Sequence, residues 1–337
     1  MVNPMAMKKF INDPANLTSE LLEGYVQAYG NKVALKGDKL VVRAKPKDKS
    51  KVAIVTLGGA GHEPALSGFV GHGMLDASVV GDIFAAPGPP PVFEALKLMN
   101  RPAGVLFVVL NHAGDVMSAN MAMDLAAKQG INLRKVLTHE DIAPGANAPA
   151  DQRRGLVGCI PLYKVAGAAA EAGKSLDEVC RVAEKFNAGM ATLAVALKTA
   201  THPQSGGEIF ALADDEMEIG MGQHGEAGTG KSKMMTADQT ARTMVVQLAK
   251  AVKARKGDKV LLIINGAGAT TLMEMFIIYR AARKVLAESG VEVARSLVGE
   301  FLTVQEMGGF QMFLAKMDDE LLSLWDAPCD TPYLTVR

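Results

Sequence analysis

Apolar residues along this chain fall into two kinds of run, and their periods separate strands from helices. Residues 52–57, 105–110 and 260–265 are short and almost wholly apolar, the pattern of strands covered on both faces. Residues 17–29, 89–99, 116–128, 161–172, 176–187, 237–254, 271–289 and 318–325 repeat apolar positions three and four apart, which predicts helices. Further strands are predicted at 132–137, 191–197, 216–221, 291–298 and 311–316. A short hairpin is expected at 33–35 and 40–42 around Gly37-Asp38, and another helix from about Pro64. Punctuation agrees with this pattern. Thr236 and Gln239 form a capping box ahead of a long helix, prolines open the helix at 89, and Asn187-Ala188-Gly189 reads as a helix stop. Residues 139–154, with Pro144, Gly145, Asn147 and Pro149, read as a surface loop.

Strands alternating with helices imply an α/β fold: two α/β domains, each a mostly parallel or mixed sheet flanked by helices. The length of 337 residues suits two cores of ~150 residues. The helix stop sets the expected boundary, with domains 1–188 and 189–337.

Composition narrows the function by exclusion. Hydrophobic residues make up 49% and charged residues 21%, as in an ordinary globular protein. Lys plus Arg and Asp plus Glu are 36 each, and no basic block appears, so nucleic acid is not an expected partner. No apolar run reaches ~18 residues, so no membrane span is expected, and the start lacks a signal-peptide core. Cys159, Cys180 and Cys329 have no metal-type spacing and read as reduced thiols of a cytoplasmic protein.

Candidate chemistry sits in three polar clusters after strands, where ligands bind in open α/β sheets. The first is Gly58-Gly59-Ala60-Gly61-His62-Glu63-Pro64. The second is Asn111-His112-Ala113-Gly114-Asp115. The third is Gly220-Met221-Gly222-Gln223-His224-Gly225-Glu226. Each pairs a titratable side chain with glycines that let a ligand approach the backbone. His72 and His112 read as loop or supporting groups, and His139 and His202 have no partner in the sequence. Asp214-Asp215-Glu216 and Glu218 read as a solvated loop and a half-exposed strand rather than a cation site.

These runs, in this order, resemble the substrate-binding subunit of the dihydroxyacetone kinase family. The opening Met7-Lys8-Lys9-Phe10-Ile11-Asn12-Asp13 is similar to that family's start. Asn265-Gly266-Ala267-Gly268-Ala269-Thr270 and Leu324-Trp325-Asp326-Ala327-Pro328 are similar to its later landmarks. The resemblance implies that His224 attacks a ketone carbon and holds a short ketose as a hemiaminal. It implies that Asp115 accepts the proton of the terminal hydroxyl, that His62 hydrogen-bonds the substrate, and that the backbone at Gly58 and Gly59 contacts it. Two positions depart from the family pattern. Leu110 stands where Lys is common and Ala86 where Ser is common, so the pocket is expected to favour a different ketone or to bind one without turnover. A catalytically silent ketone-binding coactivator is therefore the alternative to a kinase subunit. The resemblance also implies no cofactor in this chain, ADP or ATP with magnesium on a nucleotide-binding partner subunit, a phosphotransferase-system phosphocarrier as a further partner, and a homodimer.

One motif points elsewhere. Gly225-Glu226-Ala227-Gly228-Thr229-Gly230-Lys231-Ser232 matches the phosphate-loop pattern G-x-x-x-x-G-K-[ST]. Its context does not fit, because such a loop runs straight into a helix whose N-terminus faces the phosphates. Here the next helix has its own cap at Thr236, and the strand at 260–265 ends in Asn rather than Asp. Gly266-Ala267-Gly268 lacks the third glycine of a dinucleotide turn and reads as a structural turn.

Overall fold

The computed structural model describes residues 8–222, 224–226, 228 and 230–337. Met7 of the opening run, Gln223 before His224, and Ala227 and Thr229 of the phosphate-loop-like run lie outside the described residues.

The first half opens with helix α1 (Leu17–Ala28) and the hairpin β1 (Val33–Lys36) and β2 (Leu40–Arg43). Then come β3 (Ala53–Ala60), β4 (Ala77–Ile83), α2 (Pro89–Met99), β5 (Val105–Leu110), α3 (Ala113–Lys128) and β6 (Leu133–Thr138). These strands form one sheet in the order β1-β2-β4-β3-β5-β6. From β4 to β6 neighbours are parallel, while the hairpin joins β4 antiparallel. The apolar strands make both faces dry. Val55, Leu57, Phe107 and Val109 pack against α2 and α3, and Ile54, Leu106 and Val108 face the other way.

That other face meets α4 (Cys159–Glu171) and α5 (Leu176–Ala188). Every residue of α4 from Cys159 to Ala170 is buried, and a helix apolar on all sides must lie between layers. Its one cation, Lys164, donates to the carbonyls of Leu324 and Ala327 at 2.9 and 2.7 Å. The second half supplies the next layer: β7 (Met190–Lys198), β8 (Glu216–Ile219), β9 (Lys231–Lys233), α6 (Ala237–Ala251), β10 (Lys259–Gly266), α7 (Leu272–Glu288), β11 (Glu292–Gly299), β12 (Gly308–Met317) and α8 (Asp319–Asp326). Its strands run in the order β11-β10-β12-β7-β8-β9. Only β10 and β11 pair parallel, so this sheet is mixed. One face packs on α6 and α7. The other joins the core of the first half, where Phe186 of α5 stacks on Phe313 of β12 at 6.2 Å.

The architecture is thus two mixed sheets flanked by helices, as the alternation of patterns predicts. The strand expected to be half-exposed, β8, instead buries Met217, Glu218 and Ile219. Two more local expectations differ. No α-helix starts near Pro64; the chain bends there and makes one 3-10 turn, Ser67–Phe69. Glycines let this segment pack on the C-terminal residues: a Cβ on Gly71 would lie 2.3 Å from the Asp330 carbonyl, and one on Gly73 2.4 Å from that of Pro328. The segment's carbonyls serve that contact, because Asp330 N–H donates to His72 and Tyr333 N–H to Gly68. The second difference is β4, which the apolar pattern did not predict because Gly81 and Asp82 break it.

Candidate active site

Parallel pairing sets the first wall of a cleft. β4, β3 and β5 end side by side, which brings together Phe84, Ala85 and Ala86, the glycines Gly58 and Gly59, and Leu110. Close approach is possible because Gly59 has no Cβ; one there would lie 2.8 Å from the amide nitrogen of Ala85. Phe84 holds a left-handed backbone, φ 56°, in the turn that leaves β4. Its ring lies 5.0 Å from that of His62 and 5.6 Å from that of His224. Asp115 enters from the first turn of α3.

The opposite wall comes from the second half. His224 lies in the loop between β8 and β9. Glu226 folds this loop back on itself: its carboxylate accepts from the His224 backbone N–H at 2.8 Å, and its carbonyl accepts from Gly222 N–H at 2.8 Å. Arg154, from the loop after β6, pins the loop from outside. It donates to the Gly220 carbonyl at 2.8 Å and is paired with Asp141 at 2.6 Å. Leu302 also lines the cleft. The Asn265 side chain fixes that stretch by accepting from Phe301 and Leu302 N–H and donating to the Leu302 carbonyl.

All seven residues singled out from the sequence, His224, Asp115, His62, Gly59, Gly58, Ala86 and Leu110, line this one cleft. Its empty space, mouth included, is about 380 Å³.

Hydrogen bonding assigns the protons. His62 Nδ1 lies 2.8 Å from the Thr303 carbonyl. A carbonyl only accepts, so the proton is on Nδ1. Burial, and then the neighbouring His224, lower the His62 pKa to about 3, so the ring is neutral and Nε2 carries a lone pair. His62 Nε2 is 3.1 Å from His224 Nε2, so the proton in that contact belongs to His224. On the other side of the His224 ring, Nδ1 lies 3.4 Å from Glu226 Oε1. Burial alone would raise the Glu226 pKa, but the hydrogen bond and charge of His224 outweigh it and hold the carboxyl well below its usual range. Asp115 goes the other way. Burial pushes it up to about 7 against the opposing pull of His224, and its Oδ1 is buried with no hydrogen-bond partner.

Sequence reasoning did not assign four residues that shape the site. Glu226 had a signal, standing two residues after His224 in the same run. Phe84, Arg154 and Thr303 had none, because their contacts join segments far apart in the chain. His112, read as a supporting group, lies with its ring 5.4 Å from that of His224 and its Nε2 2.8 Å from the Gly155 carbonyl.

The phosphate-loop-like run takes a different form from a nucleotide cradle. Lys231 and Ser232 lie on the edge strand β9, opposite Glu218 and Met217 of β8. The helix that follows, α6, has its own capping box at Thr236.

Comparison with known proteins bears on the same residues. The Dak1 domain model matches residues 23–333, a span that contains the whole cleft. The chain belongs to the Dak1 family. Among its relatives, the dihydroxyacetone-binding subunit of PTS-dependent dihydroxyacetone kinase 2 from Listeria innocua is 39% identical, covering 98% of this chain and 100% of that protein. A D-erythrulose kinase from Mycolicibacterium smegmatis is 36% identical over 97% of this chain and 56% of its own, longer length. Among solved structures, a dihydroxyacetone kinase operon co-activator superposes with a TM-score of 0.89 at 30% identity, covering 94% of this chain and 98% of that one. The Dak1 fold therefore hosts kinase subunits and an operon co-activator. Among the described residues no helix is long and apolar enough to cross a membrane.

Proposed function

We propose that this chain is the ketone-binding subunit of a dihydroxyacetone-type kinase. His224 captures a short ketose as a hemiaminal. Asp115 then activates the terminal hydroxyl for phosphorylation by a partner nucleotide-binding subunit.

The observation that carries this reading is the contact between His224 Nε2 and His62 Nε2 at 3.1 Å, in a cleft that Asp115 also lines. Capture adds His224 Nε2–H across the ketone. As the nitrogen–carbon bond forms, the C=O π bond breaks, and the Nε2 proton passes through His62 Nε2 to the former carbonyl oxygen. Glu226 keeps the other ring proton at Nδ1, so the lone pair develops at the nitrogen that faces the cleft. Glycerol carries similar hydroxyls but no electrophilic carbon, so this chemistry selects ketones over polyols. In phosphoryl transfer, the terminal hydroxyl oxygen attacks the terminal phosphorus of the donor. Its proton goes to Asp115, and the bond from phosphorus to the leaving nucleotide breaks.

ADP or ATP with magnesium belongs on the partner subunit. A phosphotransferase-system phosphocarrier is the proposed source of its phosphate, in line with the PTS-dependent kinase of the Listeria relative. A homodimer and a cytoplasmic location complete the proposal. The division into domains 1–188 and 189–337 puts the cleft between them, with Asp115 and His62 on one side and His224 on the other.

A second reading is favoured by specific residues. Leu110 and Ala86 offer no polar group to a polyhydroxy ketone, and the co-activator shares the fold. In that reading the chain captures a ketone and signals its presence without turnover.

Intact-mass measurement after exposure to dihydroxyacetone, erythrulose and glycerol tests capture. An adduct with a ketose and none with glycerol is expected, and absence of adduct with both ketoses would sink the proposal. Phosphorylated ketose in the presence of a nucleotide-binding subunit separates kinase from co-activator.

A further inference from the structure

The side of the His224 ring turned away from His62, where Glu226 holds the Nδ1 proton during capture, also has the makings of a metal site. His112, His224 and Glu226 each place a ligating atom there, all within 4.8 Å of one another. Glu226 Oε1 is 3.4 Å from His224 Nδ1 and 4.0 Å from His112 Nδ1. A tetrahedral zinc ion, with bonds of ~2.0–2.1 Å, needs donors about 3.3 Å apart, so small side-chain rotations close the set. We propose that these three residues form a zinc site, and that zinc bound there stops His224 from capturing a ketone.

Three features beyond proximity support it. Two imidazole nitrogens and one carboxylate oxygen are a donor set that suits zinc, with a fourth position left for water. The His112 ring is already oriented as a ligand: Nε2 lies 2.8 Å from the Gly155 carbonyl, so its proton is there and Nδ1 turns toward Glu226. A second ring nitrogen donating to a backbone carbonyl is the usual support of a metal-binding histidine. The Glu226 carboxylate is held from behind, its Oε2 accepting from the His224 backbone N–H at 2.8 Å and lying 3.9 Å from Arg154 Nη1. The Arg154 charge is in turn balanced by Asp141 at 2.6 Å.

The block on capture follows from the ring's electrons, and this half rests on the proposed role of His224. Zinc takes the lone pair of Nδ1. The remaining ring proton then sits on Nε2, the nitrogen that faces the cleft, and Nε2–H has no lone pair to offer a carbonyl carbon. Without zinc, Nδ1 keeps its proton against Glu226 and Nε2 gives its own to His62, which frees the Nε2 lone pair for attack; with zinc on Nδ1, loss of the Nε2 proton would leave a far more basic imidazolate.

The test titrates the full chain with zinc chloride against a chromophoric chelator, with no ketone present, and then measures adduct formation with dihydroxyacetone by intact mass. One zinc per chain with a micromolar or tighter Kd is expected, weakened at least tenfold in His112→Ala and in Glu226→Gln. Cobalt(II) in place of zinc should show the visible bands of a four-coordinate ion in the parent chain and lose them in both variants, which separates a lost ligand from a misfolded chain. Saturating zinc should slow adduct formation at least tenfold, and EDTA should restore it. No zinc binding, or binding that neither substitution weakens, overturns the site. Adduct formation at an unchanged rate under saturating zinc overturns the block. A chain that forms no adduct even without zinc overturns the capture reading and the block together, while the ketone-free titration still decides the site.

Discussion

Asp115 and Glu226 are carboxylates on either side of the His224 chemistry, and the protein holds them in opposite states. Asp115 lines the cleft from the first turn of α3. A helix N-terminus ordinarily favours the carboxylate, yet burial wins and raises the group to about 7, with Oδ1 lacking a partner. Glu226 sits behind the histidine. Burial pushes it upward too, but the His224 ring and the backbone N–H groups of the loop overcome that push. Burial pushes both upward; partners overcome it at Glu226 and do not at Asp115. The difference matches two tasks: a group poised near neutrality can take a proton, and a permanently charged one can hold a ring in place.

Removing the poised group gives the largest expected effect. Asp115→Asn should leave the ketone adduct intact by mass and lower kcat ~10³-fold in an assay with a nucleotide subunit. An equal loss of adduct would make the two carboxylates alike and end the distinction. Glu226→Gln should do the reverse, slowing adduct formation ~10-fold while Asp115 still turns over the adduct that forms. The parent enzyme's kcat should rise with pH through about 7 and level off above it, because only ionised Asp115 accepts the proton. That rise should be absent in Asp115→Asn.

The smallest effect is on stability. Asp115 is raised from its ordinary value of 3.8 to about 7 on folding. The folded chain therefore binds the proton more tightly than the unfolded one, and stability falls as pH rises through the window from about 4 to about 7. Asp115→Asn removes that penalty, so it should stabilise the chain at pH 8 and change its stability by almost nothing near pH 3. Denaturant melts at the two pH values check this, and a destabilised variant at pH 8 would contradict the assigned state of Asp115.

Much of the fold was legible because its signals are local. The near-continuous apolar runs at β3, β5 and β10 mark strands buried on both faces, and the capping box at Thr236 marks the start of α6. The segment after Pro64 was not legible, because Gly68, Gly71 and Gly73 serve contacts with residues about 260 positions away. β4 was hidden for a related reason. Its Gly81 is needed where the following turn crosses it, with a would-be Cβ only 2.0 Å from the Ala85 carbonyl, and such crossing leaves no periodic trace.

The sequence by itself determined which residue types stand at the strand ends: His62 after its glycines, Asp115 after an apolar run, His224 beside Glu226. Their order along the chain was enough to recognise a family. It also argued against a phosphate loop at Gly225 to Ser232, since Thr236 announces a separate helix start. Only the tertiary structure decided which of these groups meet, in which proton state, and what stands behind them. His62 and His224 are 162 residues apart in sequence and 3.1 Å apart in space, and Thr303 orients the first while Glu226 and Arg154 orient the second. Residue type is a local property, whereas burial, proton placement and charge depend on neighbours that the chain supplies only once both sheets have closed on the cleft.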